Sequence, residues 1–284
     1  MNIKYISISL VFASVFNIAS SNAAILQCKN AAGKMVYTDN PRNCADRDTT
    51  KELKYSAQRD SFHDEIPDLL QTLNSAQFAG GGKQFCAPVA VSNSLVWLEG
   101  NPQQQHQIDL VHKLASPAYM DTNLKTGTNP FRVVQGVHKY AIERWGGYKT
   151  LEYSGWHSVP KQFRSPLGKP SLEWMTQSLH RRGAVWIQLG WYKREDGYYR
   201  RNNGHWVTLV GYENGKLIVH DPAIRSGAEF SNQYVSIQLL QGGQLRNAKG
   251  STTAKNHFAI ADGLNISSGA DVAIIDGAVR FELE

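Results

Sequence analysis

The apolar residues of this chain change their spacing about two-thirds of the way along. Up to residue 182 they recur at helical intervals; beyond it they alternate. Residues 89–98 read as an apolar helix whose first turn Pro88 suits and which Gly100 ends. Ile108, Val111 and Leu114 share one face of a helix over 104–115. Asn129 caps a helix opened by Pro130, with Val134, Val137 and Ala141 on one face. Ser171 caps another, carrying Leu172, Met175 and Leu179, with Arg181 and Arg182 in its last turn and Gly183 beyond. Residues 184–189, 205–212 and 216–220 read as strands, the last two around Asn214-Gly215; 272–275 and 278–283 flank Asp276-Gly277 as a hairpin. Helices followed by strands predict an α+β domain over 63–284, with a helical lobe packed on an antiparallel sheet.

The N-terminal part has a different pattern. Residues 1–23 carry one cation, Lys4, then an apolar run too short to span a bilayer comfortably, then Ser21-Asn22-Ala23, and read as a secretory signal peptide. Residues 24–50 form a small unit: strands over 26–29 and 35–38, a turn at Ala31-Ala32-Gly33, and a stop at Asp39-Asn40-Pro41. Residues 51–62 are charged and polar and read as a linker. Export predicts a periplasmic or secreted bacterial protein, with no membrane association once the signal is removed.

The chain has 284 residues and a net charge of +6, which becomes +5 when Lys4 leaves with the signal. This mild excess does not point to nucleic acid. The basic cluster Lys193-Arg194…Arg200-Arg201 is broken by Glu195 and Asp196 and reads as a solvated loop. Trp145, Tyr148, Tyr153 and Trp156 read as core. No metal-ligand spacing and no phosphate loop is present, and no cofactor is expected.

Export gives the three cysteines meaning. Cys28 with Cys44 is the shortest loop available, and such a bridge stabilises a unit too small for its own core by about 3 kcal/mol. That leaves Cys86 as an unpaired thiol. It directly precedes the helix opened at Pro88, where a helix N-terminus favours the thiolate. A buried inert cysteine is the alternative use of such a position. His205, at the start of a strand after Gly204, is the candidate base, and Asp221, followed by Pro222, the candidate orienting carboxylate. Parity tests the pair. A two-residue loop at Asn214-Gly215 puts His205 and Asp221 on opposite faces. A three-residue loop, Glu213-Asn214-Gly215, pairs Tyr212 with Lys216, sets Asp221 opposite Val207 and brings the two side chains to one face. Gly215 supplies the positive φ that such a loop wants, so the three-residue loop is the expectation. The same register sends His220 to the other face. For the oxyanion donor, the backbone N–H of Cys86 is one candidate; Gln84 is the nearest side-chain amide and Gln77 the second choice.

The segment from His205 to Tyr212, with His220-Asp221 after it, resembles the His-strand of papain-like cysteine peptidases, which run H-x-V-x-x-V-G-Y to an Asn or Asp at the same spacing. The order Cys, His, Asp matches as well. The blocks around Cys86 and His205 are more similar to the bacteriocin-processing (double-glycine peptidase-like) branch, which uses an Asp before Pro. The stretch 25–44 resembles a short module at the N-termini of exported bacterial proteins. The resemblance spans roughly residues 80–225. It implies a papain-like fold and a thiol peptidase acting on a peptide or protein, with Cys86 as nucleophile, His205 as base and Asp221 as orienter. Two positions depart from it: Gly80 stands where the family's oxyanion glutamine usually lies, and Ala87 follows the cysteine in place of glycine. A binding protein on the same fold, a cell-wall amidase and a transamidase are the neighbouring functions.

Overall fold

The computed structural model describes the backbone of 25–29, 35–38 and 51–53, and residues 62, 64–223, 232–267 and 269–284. The chain divides into two compact units, 1–57 and 58–284. In the first, β1 (Ile25–Lys29) pairs antiparallel with β2 (Met35–Thr38) on one side and β3 (Lys51–Leu53) on the other. Part of the expected linker is therefore a strand. The expected signal peptide, Cys44 and the side chain of Cys28 lie outside the described residues.

The second unit joins a helical lobe to a barrel. Helix α1 (Cys86–Leu98) is buried from Cys86 to Val96 on every side, as expected for a helix apolar on every side but for Ser92-Asn93-Ser94. Helix α2 (Gln104–Ala115) and helix α3 (Pro130–Trp145) each bury one stripe. Asn129 caps α3 by accepting from Arg132 N–H at 3.0 Å. Their apolar faces close one core around α1, which Trp186, Trp206 and Phe281 complete from the strands.

Six strands close a barrel: β6 (Tyr198–Glu213), β5 (Gly183–Glu195), β12 (Val272–Glu282), β11 (Phe258–Asp262), β8 (Gln233–Leu239) and β7 (Lys216–His220), which returns to β6. Its interior is filled by alternate residues such as Ile187, Leu189, Val207, Leu209, Val219 and Ile275. Strand β4 (Thr150–Gly155) adds to the far half of β12, and β9 (Gln244–Asn247) with β10 (Gly250–Thr253) adds to β6.

Several expectations are corrected. The sheet is mixed, because β6 and β9 run parallel from Tyr198↔Gln244 to Arg200↔Arg246. Helix α4 (Leu172–Thr176) stops short of the expected Arg182; turn bonds from Leu179 N–H to Thr176 and from Gly183 N–H to His180 replace the helical ones. Asp276-Gly277 is not a hairpin. Strand β12 runs straight through, held by β5 on one side and β4 on the other, and Asp276 is the extra residue of a bulge between Ile275↔Leu189 and Gly277↔Gln188. The cluster Lys193-Arg194…Arg200-Arg201, expected as a solvated loop, lies on a long hairpin that turns at Asp196-Gly197.

Candidate active site

The hairpin that carries His205 and Asp221 solves the parity problem differently from the expected loop. The turn is the two-residue Asn214-Gly215, with φ of 50° and 80°, and Glu213 pairs with Lys216. The extra residue sits four positions before Asn214, where the register slips between Leu209↔Val219 and Gly211↔Ile218 and leaves Val210 as a bulge. The Val210 carbonyl accepts the backbone N–H of Phe62 at 3.0 Å, so a neighbouring segment supports the bulge. Thr208 then faces His220, and one step further Asp221 falls beside Val207, on the face of His205. The chosen turn was wrong; the offset between the strands was right.

Strand β7 ends at His220, opposite Thr208. Beyond that pair β6 no longer has this neighbour, and the N-terminus of α1 comes in. The backbone N–H of Trp206 donates to the Cys86 sulfur, and His205 hydrogen-bonds to the same atom. His205 Nε2 lies 2.5 Å from Asp221 Oδ1, which leaves Nδ1 to face the thiol. Asp221 Oδ1 also accepts the backbone N–H of Ala223 at 2.9 Å. The imidazole stacks on Trp191, with ring centroids 5.8 Å apart. Cys86 keeps 9% of its surface, His205 4% and Asp221 none.

The electrostatics follow from this packing. Burial pushes the Cys86 thiol up, but the hydrogen bond and charge of His205 and the Trp206 N–H outweigh it, and the pKa falls below the ordinary value. Burial pulls His205 down; the charge and hydrogen bond of Asp221, with Cys86 behind them, win and hold it at about 9. Each group thus favours the charged form of the other.

Two polar devices fix the helix against the strand. Thr208 Oγ1 donates to the Ala90 carbonyl at 2.7 Å, one turn after Cys86, and accepts from Asn93 Nδ2 at 3.1 Å. Gln107 Nε2 donates to Asn93 Oδ1 at 2.6 Å, so α2 joins the same chain of bonds. Gln71 forms the second device. Its Nε2 donates to the carbonyls of Gly82 and Lys83, at 3.2 and 3.0 Å, and its backbone N–H donates to Pro222 at 2.8 Å. One residue thus ties the approach to Cys86 to the residue after Asp221. Gly82, at φ 72°, makes this contact possible, since a Cβ there would lie 1.6 Å from the Gln71 carbonyl oxygen.

Of the candidate oxyanion donors, Gln84 is half-buried, with its Oε1 against Gly127. Gln77 is exposed, at φ 51°. His220 faces away, held between the Pro67 carbonyl at 3.2 Å and Asn232 Oδ1 at 2.8 Å. The sequence reading missed the Trp206 N–H, the Trp191 stack, Gln71 and the Thr208–Asn93–Gln107 chain. None carries a local motif. The one available signal was the polar run Ser92-Asn93-Ser94 inside an otherwise apolar helix, which demands buried partners.

A helical lobe presenting a thiol to an imidazole and a carboxylate on a barrel is the layout of a papain-like cysteine peptidase. The model of the Peptidase_C39 like family matches residues 50–241, and the chain belongs to that family. A peptidase of this family acts on peptide or protein substrates. No curated protein matches the chain.

Proposed function

We propose that this protein is an exported cysteine peptidase that hydrolyses peptide bonds through Cys86, His205 and Asp221. The observation that supports the reading best is the commitment of His205. Nε2 is taken by Asp221, so the nitrogen left over faces the sulfur, and both carboxylate and imidazole are sealed from water.

The Cys86 thiolate attacks the carbonyl carbon, and the carbonyl electrons move to oxygen. The backbone N–H of Cys86 and the side-chain amide of Gln84 are the proposed donors to that oxygen. Collapse of the intermediate breaks the C–N bond; the amine leaves with the proton of His205, and an acyl thioester remains on Cys86. Water then attacks the thioester while His205 takes its proton, and the carboxylic acid departs as the thiol re-forms. Asp221 holds the imidazole in the tautomer that both steps need. The leader-like pattern of residues 1–23 supports a periplasmic or secreted location, where Cys28 would pair with Cys44.

The test is the rate of Cys86 alkylation by iodoacetamide against pH, with the labelled site read by mass spectrometry. The wild type should show two steps: one as the thiolate forms, below the ordinary thiol value of 9.0, and one near pH 9 as the imidazolium loses its proton. His205→Ala should show a single step at or above 9.0. A single ordinary step in both proteins refutes the mechanism and leaves a papain-like fold used for binding.

A further inference from the structure

Arg201 behaves unlike the basic residues around it. Lys193 and Arg200 reach Asp271 and Glu195 at the exposed surface. Arg201 turns inward: its side chain is only 17% exposed, and its Nε donates to Asp276 Oδ2 at 2.6 Å. Asp276 is fully buried and already has three other partners. Trp156 Nε1 at 3.0 Å and Tyr192 OH at 2.5 Å meet Oδ1, and His157 Nε2 lies 3.2 Å from Oδ2. Both oxygens of the carboxylate are thus satisfied with only the Nε edge of the guanidinium used. Among the described residues nothing takes Nη1 or Nη2, and neither atom is closed off from solvent.

Two glycines make room for this arrangement. Gly190 and Gly204 face each other across β5 and β6. A Cβ on Gly190 would lie 2.5 Å from Asp276 Oδ2, and one on Gly204 would lie 2.1 Å from Arg201 Nη2. The guanidinium therefore occupies the place of a side chain on Gly204, the residue that precedes His205, on the strand face opposite the imidazole. Consecutive Cα atoms are about 3.8 Å apart, so the free edge stands within about 8 Å of the His205 Cα, roughly two residues of extended peptide. Trp206, whose indole Nε1 donates to the Thr128 carbonyl at 3.1 Å, lies just past this point on the same face, where the helical lobe begins.

The geometry points to an anion-reading subsite: Arg201, braced by Asp276, takes a carboxylate of the peptide substrate within about two residues of the scissile bond. The function of this subsite in catalysis rests on the peptidase reading above; its chemistry does not. A planar guanidinium held at Nε offers its two Nη groups as a preset fork, which matches a carboxylate in bidentate fashion. The bracing means little side-chain freedom is lost on binding. Asp276 holds the guanidinium in place, so it is a positioning residue.

The test uses electrophilic peptides that alkylate Cys86, in matched acid and amide pairs. One series carries an N-terminal iodoacetyl group and the other a C-terminal chloromethyl ketone, so the variable residue falls one or two positions to either side of the sulfur. Each compares Glu with Gln, and the iodoacetyl series also compares a free C-terminus with its amide. Rates are normalised to those with a small free thiol. In one series the acid should label the wild type at least about tenfold faster than its amide, as a hydrogen-bonded charged contact implies. The advantage should shrink as salt is added. Removing Arg201 alone takes the guanidinium from a buried carboxylate, so the variant used is Arg201→Gln with Asp276→Asn, in which the ratio should fall to about one. A wild-type ratio near one in both series, or a ratio that survives the double change, overturns the proposal. Iodoacetamide, run alongside, reads thiol activation without reference to charge, so an ordinary thiol there refutes the peptidase mechanism while the acid-to-amide ratio still decides the subsite.

Discussion

Thr208→Val isolates the bond that sets the distance between the two halves of the site. The exchange keeps nearly the same shape and leaves no cavity, so its effect comes from the hydroxyl alone. Thr208 has no exposed surface. Its Oγ1 donates to the Ala90 carbonyl at 2.7 Å and accepts Asn93 Nδ2 at 3.1 Å. Ala90 lies inside α1, so its carbonyl keeps a helical partner when Thr208 goes. The Asn93 donor has no such second partner and stays buried. One lost hydrogen bond costs about 1 kcal/mol and a stranded buried donor about 1–3, so the expected loss is about 2–4 kcal/mol. Urea unfolding should show it as a lower midpoint at unchanged slope. Thr208→Ser, which keeps the hydroxyl, should recover most of it. Because Ala90 is one turn from Cys86 and Thr208 is three residues from His205, alkylation of Cys86 below pH 7 should slow in the valine variant and recover in the serine variant. A loss below about 0.5 kcal/mol, within the range of an uninvolved substitution, refutes the energetic argument. A full loss with unaltered alkylation refutes the claim that this chain of bonds positions the thiol.

Other outcomes follow from the same geometry. Gly82→Ala combines a positive φ with a Cβ 1.6 Å from the Gln71 carbonyl oxygen, a backbone atom, and should cost more than about 3 kcal/mol or prevent folding. Gly136→Ala meets Met120 Cγ at 2.5 Å and the Met120 backbone nitrogen only at 3.1 Å, with no positive φ to strain it, and should cost less than Gly82→Ala; thermal unfolding of the pair gives the order, and the reverse order counts against it. Asp221→Ala removes the charge that opposes burial at His205, so its pKa should drop from about 9 and the low-pH alkylation step should disappear; a persistent step refutes the role of Asp221. The pair also sets a stability window. Cys86 has a lowered pKa, so its contribution is lost as pH falls through the folded value. His205 has a raised one, so its contribution is full below 6.5 and lost as pH rises through about 9. Above pH 6.5, once the native thiol has ionised, native and unfolded chains each hold one proton on the pair. Between the first alkylation step (or pH 6.5, whichever is higher) and about pH 9, the wild-type minus Cys86→Ala/His205→Gln difference in urea midpoint should therefore stay level; a steady slope through that window contradicts the ion pair.

The sequence by itself determined the local features. The cap at Asn129, the proline at the start of α3, the apolar stripes of α2 and α3 and the mostly apolar α1 are written in short-range pattern, because each depends on residues within a few turns. Cys86, His205 and Asp221 were legible as candidates from residue type, position in their elements and chain order. Tertiary structure decided what depends on distant partners. The extra residue between His205 and Asp221 sits at Val210 and not in the turn, because Phe62, nearly 150 positions upstream, supplies a donor to the bulge. Asp276-Gly277 carries a turn signature, yet strands on both sides hold it straight and four side chains from other segments capture the carboxylate. Arg201 looks like one charge in a solvated cluster until the hairpin forms and two glycines leave it a place beside the backbone. A backbone N–H such as that of Trp206 has no signature at all, since every residue but proline carries one, and only the place where β7 leaves β6 makes it available to a thiol.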